Sequence, residues 1–453
     1  MQNLFLRQSY QDCWEAYEKS LESEHFVKWD YIILTASNES QAESYRMQIS
    51  YRCQQRYLPT HTKFIVLSDP DGKRVGSGGA TLNVLRFLAG DLGGACFSGK
   101  RVLVIHSGGD SKRVPQYSAF GKIFSPVPRK LPDGRNSTLF DEFMISMAGV
   151  AGRLKEGMLV LSGDVLLLFN PLQIDFNFKG AAALSIKESV SVGKDHGVFL
   201  NNGYNYVGRF LHKLTEKQLY SVGAVNKCGY VDLDTGAVAF DTNLMHSLFT
   251  LISTDGKVDE EKFYQFVNEE NPISFYGDFL YPLAEEASLE SYYREAGEKI
   301  INEDLLSCRR LIWEAISQYK MQLISLTPSG FIHFGTTSEL RKLVTEEIDN
   351  YAFLGWEKQV GSNVSGVRYA AHNSLIIEGA VVGEGAYIEN TVLGANVRVG
   401  SCSIVSGLEI TGKQKVIIPS FYLILPIMLI SLYPNILLRR VIVGYPWVAS
   451  SIW

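Results

Sequence analysis

The densest group of residues able to do chemistry is Ile105-His106-Ser107-Gly108-Gly109-Asp110-Ser111-Lys112-Arg113-Val114-Pro115, with Gly121-Lys122 close behind. Two adjacent glycines leave room for backbone N–H groups to reach phosphate oxygens. Arg113 adds a fork-shaped cation suited to phosphate, and Lys122 adds a second, mobile positive charge. Loss of a pyrophosphate leaving group needs such cations, because negative charge grows on it as it departs. A lone Gly-Gly reads as a turn with solvated basic residues. Gly-Gly, Arg and Gly-Lys together after an apolar run favour phosphate binding, with Gly108, Gly109, Asp110 and Ser111 at the nucleotide and Arg113 and Lys122 as the catalytic cations.

A second glycine-rich stretch, Gly72-Lys73-Arg74-Val75-Gly76-Ser77-Gly78-Gly79-Ala80-Thr81, precedes an apolar helical segment from Leu82 to Leu88. Its G-x-G-x-x-T spacing is an incomplete dinucleotide fingerprint, and no G-x-x-x-x-G-K-[ST] element is present. A flexible loop is the plain alternative. A helix N-terminus favours anions, so nucleotide contact is expected at Gly76, Ser77, Gly78 and Gly79. Asp164, in Ser162-Gly163-Asp164, ends an apolar run where a carboxylate can hold Mg²⁺, although an N-cap aspartate is common there. Asp195-His196-Gly197-Val198 suits backbone contact with a sugar, or is a plain turn. His196, Gly197, Lys213 and Asp234 form the candidate substrate group, and Asp278 and His333 are further polar residues near apolar runs. Taken singly, Lys213, Asp234, Asp278 and His333 are as well explained by structure.

These residues need elements to hold them. The short apolar runs at 31–35, 64–67, 102–105 and 158–161 alternate with helix-compatible stretches at 40–56 and 82–88, after an amphipathic helix at 11–28. Such alternation indicates an α/β domain with a mostly parallel sheet. The polar loops just described follow strands, so they should converge on one crevice at the strands' carboxyl ends. Later in the chain Ile376, Val382 and Ile388 stand six apart, as do Leu393, Val399 and Val405, among small residues and glycines. That period is the mark of a parallel β-helix of about two coils.

Composition sets limits. The chain of 453 residues, 46% hydrophobic and 20% charged, is long enough for two or three domains. A formal net charge of -5 argues against a nucleic-acid partner. Six scattered cysteines, with no C-x-x-C pair, and an N-terminus without a signal-peptide core imply a reduced, cytoplasmic protein. The stretch 416–438 carries no charge and is long enough to span a bilayer, but Pro419, Pro426 and Pro434 weigh against a helix there. Membrane contact, a packed apolar wrap and an altered chain end stay open for it.

From about Trp29 to Leu408 the sequence resembles the GDP-fucose pyrophosphorylase (fucose-1-phosphate guanylyltransferase) half of the bifunctional fucokinase/GDP-fucose pyrophosphorylase family. The resemblance is carried by Trp29 to Ala36, Asp69 to Asn83, Gly108 to Pro115 with Gly121-Lys122, Ser162-Gly163-Asp164, His196-Gly197-Val198 and His333-Phe334-Gly335-Thr336. It implies an N-terminal helical extension at 1–28 and a Rossmann-like nucleotidyltransferase domain at 29–345. A left-handed parallel β-helix at 346–410 and an atypical apolar tail at 411–453 would follow. It implies that GTP and L-fucose 1-phosphate give GDP-L-fucose and pyrophosphate with Mg²⁺. Phosphates would be held by Arg113 and Lys122, and metal by Asp164. The wider superfamily has a second metal aspartate before a Thr-Gly-Thr; here His333 stands in that region, with Asp278 as a substitute. The usual Glu-Lys-Pro element is reduced to Lys213 within His212-Lys213-Leu214-Thr215. Nothing resembles the family's kinase domain, so a sugar kinase would be a separate chain, and a β-helix suggests a homo-oligomer. The competing expectation is a non-catalytic or membrane-tethered relative, or a pyrophosphorylase for another nucleotide and hexose 1-phosphate.

Overall fold

The computed structural model describes residues 1–109, 113–118, 121–294, 303–411, 414–428 and 440–446. Asp110 and Ser111, both expected at the nucleotide, and residues 429–439 of the apolar stretch lie outside the described residues. The chain forms two units from interleaved pieces: residues 1–109 with 143–332, and residues 110–142 with 333–453.

The first unit is α/β. Its four apolar runs are the strands Tyr31–Ala36, Lys63–Ser68, Arg101–His106 and Gly157–Ser162, all parallel. Every residue of Tyr31–Ala36 is buried, because helices cover both faces of a parallel sheet and leave no polar alternation. The sheet then turns mixed. Tyr230–Phe240 pairs antiparallel with Gly157–Ser162 and Ala181–Ser189, and Gly197–Asn201, Val207–His212 and Met321–Leu326 complete nine strands.

Connectivity explains where a ligand fits. Tyr31–Ala36 leads through helix Glu39–Gln54 to Lys63–Ser68 on one side. The chain then returns through helix Gly76–Asp91 to Arg101–His106 on the other side of Tyr31–Ala36. Right-handed crossovers in opposite directions open a crevice at the carboxyl ends of these two central strands. Leu82, Val84, Leu85 and Leu88 of the second helix are buried with Tyr31, Ile33, Val102 and Val104 in one core.

Two boundaries differ from the sequence expectation. The first helix is Gln2–Glu22, which starts nearer the terminus because Leu6 and Ser9 also face inward. The helix expected from Leu82 starts at Gly76, so the Gly76-to-Gly79 stretch is its first turn and not a loop.

The second unit is built on short parallel strands in three sheets. Ile376 pairs with Leu393, Val382 with Val399 and Ile388 with Val405, so the expected six-residue anchors stack on one another. All six face a common apolar core with Ile418 and Ile424. The stack continues past residue 410: Val416–Ile418 pairs with Val397–Val399, and Tyr422–Met428 with Ile404–Ser406. A membrane-spanning helix over 416–438 is thereby overturned for 416–428, which form strands, since prolines and β-branched residues suit an extended chain. No helix among the described residues is long and apolar enough to cross a membrane.

Candidate active site

In the first unit the expected loops meet at the carboxyl ends of the strands. Thr35, at the end of Tyr31–Ala36, accepts a hydrogen bond on its carbonyl from Ser107 Oγ at 2.8 Å, and its Oγ1 lies 3.4 Å from Gly108 N. Tyr45 Oη donates to Ser107 O at 2.9 Å, and Gln41 Nε2 donates to Gly109 O at 3.2 Å. The Gly108-Gly109 turn is therefore fixed from below by the helix Glu39–Gln54. Its two glycines differ in purpose. A Cβ on Gly108 would press on Ala36 C at 3.3 Å, whereas one on Gly109, at φ +131°, would meet nothing within 4 Å. Gly109 thus presents bare backbone to open space, the arrangement that lets a phosphate approach.

Ser162-Gly163-Asp164 lies beside this turn. Gly163 N donates to His106 O at 3.0 Å, and a Cβ at Gly163 would crowd His106 O at 2.8 Å. Ser162 Oγ donates to Asp164 Oδ1 at 2.7 Å, leaving a half-buried carboxylate at the strand end. Tyr276 Oη donates to Gly236 O at 3.2 Å, and burial, then Asp234, then Asp164 push its ionisation up. Both carboxylates therefore lie close to one neutral phenol. Burial raises Asp234 to about 6, opposed by the Gly236 N–H that it accepts at 2.9 Å. Asp69, at the end of Lys63–Ser68, is raised to about 7 by burial, against the pull of the Val75 N–H and Arg74.

The expected sugar group is also brought together. A Cβ at Gly197 would stand 3.1 Å from Asp234 Cβ, Lys213 N donates to His196 O at 3.2 Å, and the His196 ring sits edge-on to Phe331 at 5.3 Å. Lys213 is exposed in the left-handed region, at φ +51°.

The second glycine-rich stretch has a different use. Gly76, at φ +76°, would place a Cβ 2.2 Å from Ile273 O, and Gly78 would place one 2.6 Å from Ile273 Cγ2. Gly78 N donates to Ile273 O at 2.8 Å, and Ser77 Oγ accepts from Phe275 N at 2.9 Å. These glycines let the helix start close against Ile273–Phe275. Gly79 in turn would crowd Val75 Cβ at 2.9 Å. Their close approach to Ile273 and Val75 gives these glycines a packing role at the start of the helix.

The cations belong to the second unit. Arg113 is exposed, and its carbonyl accepts from Thr337 N at 2.8 Å and Thr337 Oγ1 at 2.9 Å. Lys122 Nζ donates to Gly335 O at 3.0 Å. The His333-to-Thr336 segment is a helix entry: Thr336 and Glu339 form a capping box at Thr337–Thr345. His333 Nδ1 lies 3.6 Å from Glu339 Oε2, and its ring occupies the space beside Gly335.

Two of the three expected metal ligands thus have other partners. Asp278 is buried, with Oδ1 taken by Arg309 Nε at 2.8 Å and Oδ2 by Ser274 N at 2.7 Å. It forms a buried ion pair with Arg309, a partnership that sequence spacing could not supply. His333 turns to Glu339. Among the described residues no three His, Cys, Asp or Glu side chains gather as a metal cage. Asp164, a half-buried carboxylate at a strand end, is the type of ligand that suits a hard cation such as Mg²⁺. Asp69 and Tyr276 went unrecognised in the sequence. Asp69 had one signal, its place at a strand end like that of Asp164, whereas Tyr276 had none.

Comparison with known proteins places the chain in a family. The family model described as the fucose pyrophosphorylase domain matches residues 95–441. The chain is 30% identical to a mouse protein named fucose-1-phosphate guanylyltransferase, across 87% of this chain and 70% of that one. The human protein of the same name is 28% identical, across 87% and 68%. A bifunctional fucokinase/GDP-fucose pyrophosphorylase of Arabidopsis thaliana is 28% identical across 88% of this chain, which matches 40% of its length. The chain belongs to the fucose pyrophosphorylase family.

Proposed function

We propose that this protein is a fucose-1-phosphate guanylyltransferase, making GDP-L-fucose and pyrophosphate from GTP and L-fucose 1-phosphate. Membership of the family, with relatives bearing that name over most of their length, is the observation that carries the reading. The finer architecture follows from it: a Rossmann-like nucleotidyltransferase domain and, in the strand stack, a short left-handed β-helix. Six free cysteines support a reducing compartment such as the cytoplasm.

A phosphate oxygen of the sugar 1-phosphate attacks the α-phosphorus of GTP, and the bond from that phosphorus to the pyrophosphate oxygen breaks. The nucleophile is already an anion, so no general base is required. The role of Gly108 and Gly109 would be to offer backbone N–H groups to phosphate, and that of Arg113 and Lys122 to neutralise the departing pyrophosphate. His196, Gly197, Lys213 and Asp234 would bind the sugar phosphate, and Asp164 would hold Mg²⁺. Bound Mg²⁺ would supply charge neutralisation at the α-phosphate.

A panel of nucleoside triphosphates crossed with a panel of sugar 1-phosphates, read by pyrophosphate release, tests the assignment. GTP with L-fucose 1-phosphate should give the highest kcat/KM. Faster turnover of another pair would reassign the substrate, and no release from any pair would favour a non-catalytic relative.

A further inference from the structure

Tyr117 lies midway along the stretch that carries Arg113 and Lys122, and its side chain is buried. Its hydroxyl donates to Glu389 Oε2 at 2.7 Å, joining residues 272 apart in sequence. Glu389 ends the strand Tyr387–Glu389 of the parallel stack and is wholly buried. The same oxygen accepts from Tyr387 Oη at 2.7 Å, and Oε1 accepts from Ser406 Oγ at 2.6 Å. His372 Nδ1 is 3.0 Å from the Tyr387 hydroxyl. That hydroxyl spends its proton on Glu389, so His372 is the donor. A carboxylate inside an apolar stack is costly unless donors surround it. Two of the three hydroxyls come from the stack itself, and the third is the one that holds the cation-bearing stretch.

Backbone hydrogen bonds tie Tyr117 to residues on either side of it. Tyr117 N donates to Val114 O at 3.0 Å, and Gly121 N to Tyr117 O at 2.7 Å, so placing Tyr117 places both flanks. At the flanks, Arg113 O is held by Thr337 and Lys122 Nζ by Gly335 O. We propose that Glu389, acting through Tyr117, is a positioning residue that sets where Arg113 and Lys122 present their charges. The proposal rests on the role given above to those two cations.

Tyr117→Phe and Tyr387→Phe each remove one hydroxyl from the same carboxylate oxygen, but only the first touches the cation-bearing stretch. Both should lower the melting temperature by similar amounts. Only Tyr117→Phe should lower kcat, by about tenfold, with KM for GTP changed less than about twofold, since misplacement acts on the transition state. Adding Glu389→Gln to Tyr117→Phe should cost no further kcat, because coupled residues are not additive. Wild-type kcat in folded Tyr117→Phe, or equal losses in the two Phe variants, overturns the proposal. If Glu389→Gln does not fold, the two Phe variants decide alone. Calorimetric titration with magnesium pyrophosphate separates this inference from the functional reading. Affinity should weaken in Tyr117→Phe and hold in Tyr387→Phe even if the wild type fails to turn over GTP and fucose 1-phosphate. Equal affinities in the two would sink the positioning role, and absent turnover would sink only the functional reading.

Discussion

Carboxylates of one type serve three different ends in the first unit, and burial with partners decides which. Asp278 is matched by Arg309 inside the protein, where the side chains are 2% and 9% exposed. Removing one member of such a pair strands the other, so Asp278→Ala should lower stability by about 3–5 kcal/mol. Urea unfolding measures this, and the Mg²⁺ requirement of turnover should not change. A stable variant with a raised Mg²⁺ requirement would restore Asp278 as a ligand. Asp234 takes a backbone N–H from Gly236 in place of an ion pair, and burial raises it to about 6. The folded protein holds that proton more tightly than the unfolded chain does. Its stabilising contribution is therefore complete below about pH 4 and lost as pH rises through about 6. Asp69 behaves alike, up to about 7. In metal-free protein the melting temperature of Asp234→Asn should gain on the wild type as pH rises from about 4 to about 6. A gap that does not vary with pH would remove the effect. Asp164 is the third kind, a half-buried strand-end carboxylate beside the Gly108-Gly109 turn, of the type that suits a metal.

At the scale of elements, the strand stack shows how a short repeat becomes a fold. Each coil buries only a few side chains, so its stability depends on the coils above and below. Ending the chain after Leu408 would remove Val416–Ile418 and Tyr422–Met428, the partners of Val397–Val399 and Ile404–Ser406. Val399 and Val405, now 4% and 0% exposed, would lose that cover. Such a protein should aggregate or lose the cooperative melting of its second unit, as size-exclusion chromatography and calorimetry would show. A soluble, monodisperse product with unchanged melting would mean that the apolar tail is dispensable. The six anchors were legible because they recur at a fixed spacing. So were the four parallel strands, as unbroken apolar runs ending in polar turns. The role of Gly76 and Gly78 was not, because it depends on Ile273, which nothing in local spacing points to. The partnership of Tyr117 with Glu389 was hidden for the same reason, as was the division that places residues 110–142 with 333–453.

Taken whole, the molecule divides its signature sequence between two units. Gly108 and Gly109 belong to the first, Arg113 and Lys122 to the second. If Arg113 acts on the leaving group, Arg113→Ala should leave both units folded while kcat falls about a hundredfold or more, the worth of about 3–4 kcal/mol in the transition state. Near-normal turnover in a folded variant would remove Arg113 from the chemistry. The course of the displacement is a separate question, and the side chains around the crevice bear on it. A nucleotidyl-enzyme intermediate needs an activated nucleophile beside its base. His106 is deep in the protein, held neutral by burial that lowers it to about 4, with Nε2 3.0 Å from Thr81 Oγ1 and its ring against Phe275. Ser107 Oγ commits its proton to the Thr35 carbonyl. Cys13 and Cys308 are buried, their thiols pushed up to about 12 and about 11, which keeps them protonated. Of the two histidines closest in sequence to the candidate loops, His196, edge-on to Phe331, is the better placed to react. Single displacement inverts configuration at the α-phosphorus, whereas passage through a nucleotidyl-enzyme gives net retention. With GTP carrying a chiral α-thiophosphate and L-fucose 1-phosphate, inversion is the expected outcome. Retention, lost in His196→Ala together with turnover, would make His196 the nucleophile and replace direct displacement with a two-step reaction.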